Sequence, residues 1–232
     1  MTLLDGRVVA VAGAGGALGP AVVRALAAQG ARVAACDRGQ EQLQAVRDVA
    51  ADARVADLST PEGAARWRDE VVGALGGVHA LLHLVGGWRG GAPLHEAPLE
   101  DLDLLQTLLF RTVVHTTRAF RADLAAAGER GRFALVSAAQ AQRPAANNAA
   151  YAAMKAAAEA WTIAFARELQ DSGATANVLV VNALVTPQMR AASPEKAFKT
   201  FTDVEEVAEA LVFVCSDAAR KMTGQRLPLH GQ

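Results

Sequence analysis

The stretch "RVVAVAGAGGALG", residues 7–19, joins an apolar run to a glycine-rich turn. The run predicts a buried strand, and the alanine-rich segment that ends at Gly30 predicts a helix. Glycines between a strand and a helix let the backbone approach a pyrophosphate, whose charge the helix N-terminus favours. Many α/β proteins use such a turn only for packing, so alone it is a weak signal. Its candidate dinucleotide-binding residues are Gly13, Gly15, Gly16, Leu18 and Gly19.

Short apolar runs alternate with longer, alanine-rich segments along the rest of the chain. Further strands are predicted at 31–37, 53–58, 79–87, 132–138, 175–184 and 225–231, and further helices at 40–50, from 61, at 99–126, 149–170 and 203–216. Repeated strand–helix alternation predicts an α/β fold, a doubly wound Rossmann-type sheet of about seven parallel strands flanked by helices on both faces. With no linker or composition shift, we expect a single domain over residues 1–232, with a short substrate lid at about 187–203.

The composition excludes several classes of protein. A net charge of -1 over 232 residues argues against a nucleic-acid or membrane-surface binder. No apolar run reaches the roughly 18 uninterrupted residues of a spanning helix, and the first residues do not have the order of a signal peptide. Cys36 and Cys215 lie in apolar contexts, and the five histidines show no metal spacing. We expect a cytoplasmic protein with no metal, no nucleic-acid partner and no membrane partner.

An acid ends the second predicted strand. Asp37 lies 24 residues after Gly13 (37 − 13), where a carboxylate can accept hydrogen bonds from the ribose hydroxyls of an adenosine. An acid there repels a 2′-phosphate and favours NAD(H), although the neighbouring Arg38 could hold that phosphate and admit NADP(H). Asp37 could instead cap a helix. Asp57, after the third strand, is a weaker candidate that could cap the helix beginning near Pro61.

The stretch "YAAMK" follows the fifth predicted strand. Tyr151 and Lys155 lie one turn apart on one helix face, where an ammonium favours the phenolate and lowers the tyrosine pKa. Such a tyrosine can donate or accept a proton beside a hydride transfer. Most Tyr-x-x-x-Lys pairs are only helix surface, but a position after strand five of a dinucleotide-binding layout favours catalysis.

With these motifs, "VTPQM" (185–189) and "MTGQRLPLHG" (222–231), nearly the whole chain resembles the short-chain dehydrogenase/reductase family. The resemblance implies an NAD(P)-dependent oxidoreductase with Tyr151 as its acid/base and Lys155 holding the nicotinamide ribose. It implies a small-molecule substrate and a homodimer or homotetramer, although the apolar helix faces that suggest an oligomer could equally be core. The further cofactor contacts that it implies are Asp57, Leu58, Gly86, Leu184 and Thr186.

The chain departs from the family pattern at several positions. The serine expected 13 residues before the tyrosine is Ala138, and the neighbouring Ser137 should face the other side of the strand unless the register shifts. The asparagine that supports the lysine aligns with Leu109. The other departures are Ala17 in the glycine turn, "HLVG" (83–86) after strand four and Val181-Asn182 after strand six.

The departures resemble one branch of the family, the quinonoid dihydropteridine reductases. The most specific shared feature is "GGWRGG" (86–91), in which Trp88 could stack on a bicyclic ring or simply close a loop. An activated ring acceptor needs the missing serine less than a ketone does. Gln140 could supply a donor or be a solvated amide, and Met189 begins the expected lid. The weak substrate candidates are therefore Trp88, Ala138, Gln140 and Met189.

Three functions follow. The first is reduction of a quinonoid dihydropterin or a similar activated ring. The second is a conventional carbonyl reductase or alcohol dehydrogenase in which Gln140 or Ser137 replaces the missing donor. The third is a dinucleotide-binding sensor or scaffold with little catalysis, against which the intact pair of Tyr151 and Lys155 argues.

Overall fold

A computed structural model describes residues 2–230, and a seven-stranded parallel sheet forms its centre. The nine strands are β1 (Val8–Ala12), β2 (Arg32–Asp37), β3 (Asp52–Val55), β4 (Ala80–His83), β5 (Arg132–Ala138), β6 (Thr175–Val181), β7 (Ala183–Val185), β8 (Phe201–Asp203) and β9 (Arg226–Pro228). The large sheet has the order β3-β2-β1-β4-β5-β6-β9, and all its pairs are parallel. The predicted fold class is confirmed. Gly231, at the end of the last predicted strand, lies outside the described residues.

Helices cover both faces of this sheet. They are α1 (Gly19–Ala28), α2 (Pro61–Leu75), α3 (Leu99–Leu105), α4 (Thr112–Ala126), α5 (Ala149–Glu168), α6 (Pro187–Ala192) and α7 (Val204–Cys215). Alternate strand residues point to opposite faces, so Val9 and Val11 pack with α1 and α7, whereas Val8 and Ala10 pack with α2, α4 and α5. The two apolar clusters therefore lie on either side of the sheet.

The strand order places a crevice at one edge of the sheet. β1 lies between β2 and β4, so the chain crosses to one side after β1 and to the other side after β3. In doubly wound sheets, ligands bind outside the carboxyl ends of the strands at this switch point. The glycine turn, Asp37 and the residues after β4 and β5 all lie at that edge.

The segment predicted as one helix from 99 to 126 contains a π-helical turn at Gln106–Arg111. The backbone N–H of Thr112 bonds to the Thr107 carbonyl, and the Thr112 hydroxyl donates to the Leu108 carbonyl at 2.8 Å. A π turn interrupts the regular ladder and often occurs at functional sites. Here it lies where the family asparagine aligns, and Leu109 is buried within it.

The predicted helix at 40–50 is wrong. These residues form a series of turns in which hydrogen bonds span three or four residues, such as Val46 to Leu43 and Ala50 to Val46. Leu43 and Val46 are its only buried apolar anchors. The segment also lies against the glycine turn, since a Cβ on Gly15 would overlap the backbone and side chain of Gln42. The segment is rich in good helix formers, but tertiary contacts of this kind override intrinsic propensity.

The sixth strand is shorter than predicted. β6 ends at Val181, and after Asn182 the chain forms β7, which pairs with β8 in a separate two-stranded sheet. The Asn182 side chain donates to the Thr200 carbonyl at 3.2 Å, on the way into β8. The segment 187–203, expected to be a lid, therefore starts with α6 and returns through β8. None of the helices within residues 2–230 is long and apolar enough to cross a membrane.

We predict that Trp67→Ala lowers the free energy of unfolding by about 3–5 kcal/mol, because a large buried side chain leaves a cavity. Trp67 is 1% exposed and packs edge-on against Phe120, with ring centroids 5.0 Å apart. Urea unfolding followed by circular dichroism measures the change. Trp88→Ala is the matched control, since Trp88 is 52% exposed and should cost under about 1 kcal/mol. Equal losses in the two variants would contradict the predicted core packing.

Candidate active site

A cleft of about 950 Å³ opens at the carboxyl edge of the sheet. It brings together most of the residues predicted from sequence, which are Gly13, Gly15, Gly16, Leu18, Asp37, Arg38, Asp57, Leu58, Gly86, Trp88, Ala138, Gln140, Tyr151, Lys155 and Leu184. Three predicted residues do not line it, and these are Gly19, Thr186 and Met189. Its size suits an extended ligand, and its lining runs from the glycine turn to Tyr151.

The glycine turn is shaped by close backbone contacts. Gly13 has φ +79°, and a Cβ there would lie 2.8 Å from the Val85 nitrogen. A Cβ on Gly19 would overlap the Ala14 carbonyl, so Gly19 serves the packing of α1 on β1 and does not face the cleft. Leu18, at the start of α1, has no side-chain cap. The N–H of the first residue of α1 already bonds within the glycine turn and the second residue is a proline, so the helix dipole is the main feature that favours an anion there.

Asp37 connects β2 to the glycine turn. Its Oδ2 accepts from the Gly15 N–H at 3.0 Å and its Oδ1 from the Arg38 N–H at 2.8 Å. The structure does not place Asp37 at a helix N-terminus, so the capping alternative fails. A carboxylate oxygen can accept more than one hydrogen bond, and both oxygens keep lone pairs for ligand hydroxyls. The Arg38 side chain is exposed at the cleft, with no hydrogen bond or ion pair to another described residue.

Asp57 has a local partner. Ser59 donates its N–H to Oδ1 at 2.9 Å and its hydroxyl at 2.6 Å, and these bonds lower the pKa of the Asp57 carboxyl. The cap of α2 is Thr60, whose hydroxyl oxygen accepts from the Gly63 N–H at 3.1 Å. Asp57 therefore does not cap α2 and lies on the cleft wall beside Leu58.

Tyr151 and Lys155 lie on the first turns of α5. Lys155 is buried, and its Nζ donates to the Val136 carbonyl of β5 at 3.0 Å. Burial lowers the pKa of Lys155 to about 8. The expected lowering of the Tyr151 pKa is wrong, because burial of the phenol raises it. At neutral pH the site thus combines a protonated phenol with a lysine that is mostly a cation.

The pairing of β5 with β6 shows where Ser137 and Ala138 lie at the end of the strand. Ser137 pairs with Val180 and Ala138 with Val181, so the strand does not shift. Ala138 lies at the position that the family serine would occupy. The Ser137 hydroxyl is buried and has no hydrogen-bond partner among the described residues, although Ser137 also lines the cleft. Oε1 of Gln140, just beyond, is likewise buried and unpaired within residues 2–230.

Comparison with known proteins places the chain in a family. A family model described as enoyl-(acyl carrier protein) reductase matches residues 13–231. L-Xylulose reductase of Bos taurus is 31% identical over 98% of this chain and 96% of its own length. The chain belongs to the short-chain dehydrogenase/reductase family. It is therefore an NAD(P)-dependent oxidoreductase, as predicted from sequence.

Solved structures have the same fold. A xylitol dehydrogenase with bound NAD+ is 24% identical and superposes with a TM-score of 0.88 over 99% of both chains. A blue fluorescent protein from a metagenomic library, solved with NADPH, is 25% identical, with a TM-score of 0.86 over 99% of this chain and 98% of the other. The likeness extends over the whole length described.

One departure from the family pattern concerns His83, the last residue of β4, where the family has an asparagine. Its ring is fully buried, with Nε2 3.1 Å from the Thr112 hydroxyl and Nδ1 3.2 Å from the Thr116 hydroxyl. Burial, followed by the charge of Lys155, lowers the pKa of His83 to about 3. The ring is therefore neutral, so one nitrogen donates and the other accepts. It is a satisfied interior histidine that ties β4 to α4.

The segment after β7 contributes little to the cleft lining. Thr186, expected near the cofactor, is the N-cap of α6 and accepts from the Met189 N–H at 3.2 Å. Met189, expected at the substrate, is 39% exposed away from the cleft. Arg190 forms a bidentate pair with Asp203, with both contacts at 2.8 Å. This pair joins the two ends of the segment, outside the cleft.

Several cleft residues were missed by sequence reasoning. Trp88 was predicted, but its partner was not, since Nε1 donates to Oδ1 of Asn148 at 3.1 Å. Leucines of α3 and of the π turn form an apolar wall nearby. The only sequence signal for these leucines was the apolar character of the predicted helix at 99–126, which suggested helix–helix packing and not a cleft. The additional lining residues include Ala17, Gln42, Ser59, Gly87, Arg89, Leu104, Thr107, Leu108, Thr112 and Asn182.

Proposed function

We propose that this short-chain dehydrogenase/reductase interconverts a carbonyl compound and an alcohol. The observation that carries the proposal is the convergence of Tyr151, Lys155, the glycine turn and Asp37 on one cleft. L-Xylulose reductase, a relative over nearly the whole chain, supports carbonyl chemistry. A protonated phenol beside a buried cation suits donation of a proton to a substrate oxygen.

The residues of the cleft fit a nicotinamide dinucleotide. The positive end of the α1 dipole and the close-packed glycine turn would hold the pyrophosphate, and Asp37 would accept from the adenosine ribose. The expected contacts at Asp57, Leu58, Gly86 and Leu184 all line the same cleft. When bound, the dinucleotide supplies or accepts the hydride. Asp37 favours NAD(H), while the exposed Arg38 supports some use of NADP(H).

In the proposed mechanism, Tyr151 donates its proton to the carbonyl oxygen as negative charge develops there. Lys155 stabilises the resulting phenolate by its charge, and its bond to Val136 holds it in place. Burial of the phenol keeps it protonated in the resting state, which suits the reduction direction. In the oxidation direction the same phenol accepts the alcohol proton.

Gln140 is the proposed second donor to the substrate oxygen. It follows β5, lines the cleft and has a buried, unpaired Oε1 in the part of the chain that the structure describes. Its amide could turn to present Nε2 to the oxygen that gains charge, as the family serine otherwise does. Ser137 is the poorer candidate, because adjacent residues of an extended strand point to opposite faces.

A second candidate function is reduction of an activated ring such as a quinonoid dihydropterin. Trp88 favours it, since the indole lines the cleft with half its surface exposed and Asn148 fixes its orientation. A flat aromatic face at the mouth suits stacking on a bicyclic ring. Ala138 is consistent with an acceptor that needs one donor fewer.

We also propose a substrate lid, an oligomeric state and a cellular location. The segment 187–203 is the proposed substrate lid of a single-domain enzyme, and Met189 would contact substrate only after that segment moved. A homodimer or homotetramer through α4 and α5 is supported by a shallow groove of about 380 Å³ between them, which Trp161 and Phe165 help to line. Both cysteines are free and buried, which supports the expected cytoplasmic location.

The Tyr151→Phe variant tests the proposed function. We expect its kcat for ketone reduction to fall by about 10²–10⁴-fold, because the proton donor is lost. Its Kd for NADH should stay within about twofold, because the phenol ring and Lys155 remain. Absorbance at 340 nm with a panel of ketones gives the rate, and fluorescence titration gives the Kd. Unchanged turnover would rule out Tyr151 as the acid, and wild-type dinucleotide binding without turnover of any substrate would favour a sensor.

Cofactor choice is tested by a pair of variants. Asp37→Ala should lower the ratio of kcat/KM for NADH over NADPH by about tenfold or more, because the acid that repels a 2′-phosphate is gone. Arg38→Ala should change the ratio in the opposite direction. Steady-state kinetics with both dinucleotides measure it. Identical ratios in wild type and both variants would contradict the assignment of the adenosine end.

The second donor is tested by removal and rescue. Gln140→Leu should lower kcat/KM for simple ketones by about 10²-fold, the scale of one oxyanion donor. Ala138→Ser in that background should restore at least tenfold of the loss by supplying a hydroxyl at the family position. Kinetics with a simple ketone and with quinonoid dihydropterin are compared. Faster turnover of the pterin in wild type, with no effect of either substitution on ketones, would favour the second candidate.

A further inference from the structure

Glu159 is a fully buried carboxylate one helical turn beyond Lys155. The two residues lie at positions i and i+4 of α5, on the stripe that packs against the sheet, and Glu159 is 0% exposed. Neither of its oxygens has a hydrogen bond of good geometry within residues 2–230. A buried carboxylate without a charged partner is strongly disfavoured, so its ionisation must be supported by a cation.

Arg226 of β9 is that cation. Its Nε lies 2.6 Å from Oε2 of Glu159, and its side chain is 41% exposed, so only one end of the pair is desolvated. With its amide oxygen facing Arg226, Gln142 accepts from Nη1 at 2.7 Å and from Nε at 2.6 Å. The arginine thus joins β9, α5 and the loop after β5. Its positive charge stabilises the buried carboxylate of Glu159 on α5.

Few ionisable groups face Lys155. His83 of β4 is neutral because its pKa is lowered to about 3, and the phenol of Tyr151 is protonated. Arg226 reaches Glu159 from β9. On α4, Nε of Arg121 lies 3.8 Å from Oε2 of Glu168. Glu168 is 13 residues beyond Lys155 on α5 (168 − 155), which is about 20 Å along the helix. Glu159 is therefore the nearby anion that can balance the buried ammonium.

We infer that Glu159 is a positioning residue for catalysis: with Arg226 it forms a buried ion pair that keeps Lys155 charged and directed into the cleft. The inference rests on the proposed role of Lys155 in the active site. A stability role alone, in which the pair only joins α5 to β9, is the competing explanation. The two differ in whether removing the Glu159 charge alters the titration of Lys155.

Two opposing influences act on the pKa of Lys155. Burial lowers its pKa to about 8, and the negative charge of Glu159 raises it against that trend. Removing the carboxylate charge leaves burial unopposed, so the pKa should fall further. The lysine would then lose its charge at a lower pH. Activity that needs the ammonium would decline from a lower pH as well.

Lysine NMR measures this directly, because the chain has only four lysines. Selectively labelled protein gives four side-chain signals, and Lys155→Arg identifies the one that belongs to the active site. In wild type we expect that signal to titrate near pH 8. In Glu159→Gln, which keeps the side-chain shape, we expect the midpoint to fall by about one pH unit. The readout needs no substrate, so failure of the proposed reaction would not obscure it.

Kinetics supply the second readout. The alkaline limb of the kcat profile should shift to lower pH by a similar amount in Glu159→Gln. Glu159→Asp retains the charge and should stay closer to wild type. Glu168→Gln removes an exposed carboxylate from the same helix, about 20 Å from Lys155 by helical rise, and should shift neither readout.

Arg226 provides a final comparison. Arg226→Gln leaves the Glu159 carboxylate beside Lys155, so the Lys155 midpoint should fall less than in Glu159→Gln, and Arg226→Lys should stay closest to wild type. If Glu159→Gln cannot be purified, the double variant Glu159→Gln/Arg226→Gln replaces it, with the same shift expected. A Lys155 midpoint within about 0.3 pH unit of wild type in Glu159→Gln or the double variant, with only thermal stability reduced, would overturn the inference.

Discussion

The ammonium of Lys155 is buried, and its hydrogen bond to the Val136 carbonyl fixes α5 against β5. A charge removed from water must find compensating groups nearby, and most of the site can be understood from that requirement. The carbonyl supplies a dipole on one side. Glu159, held by Arg226, supplies a charge of opposite sign one turn away. His83 adds no second cation, because its imidazole is neutral and satisfied by two threonines.

The same burial determines what Tyr151 can do. Desolvation holds the phenol in its protonated form. In the proposed mechanism, the Lys155 ammonium one helical turn away then stabilises the negative charge that forms when the proton leaves. At the opposite end of the cleft the requirement is steric. Close backbone approaches at Gly13 and Gly19 leave no room for side chains, so the chain turns tightly between β1 and α1.

Periodicity and glycine placement were enough to predict the seven-stranded sheet, most of its helices and the edge at which the cleft lies. "YAAMK" and Asp37 could be placed at that edge because they follow the ends of strands. The turns at 40–50 could not, because the contact of Gln42 with Gly15 is tertiary. The pKa direction of Tyr151 also depends on its degree of burial, which a sequence does not give. The pairing of Glu159 with Arg226 links residues 67 positions apart (226 − 159), and no local pattern marks it.

The departures from the family pattern concern side chains, whereas the electrostatic arrangement around Lys155 is complete. Leu109 carries no polar group, yet the π turn that contains it ends directly before Thr112, whose hydroxyl lies 3.1 Å from Nε2 of His83. Ala138 carries no hydroxyl, yet unpaired polar atoms of Ser137 and Gln140 are buried next to it. Unpaired buried polar atoms cost free energy unless a partner satisfies them, and the Gln140 oxygen is the one that we propose to act at the substrate. In the proposed mechanism, loss of the serine therefore removes one hydrogen-bond donor and leaves the phenol of Tyr151 and the charge of Lys155 in place.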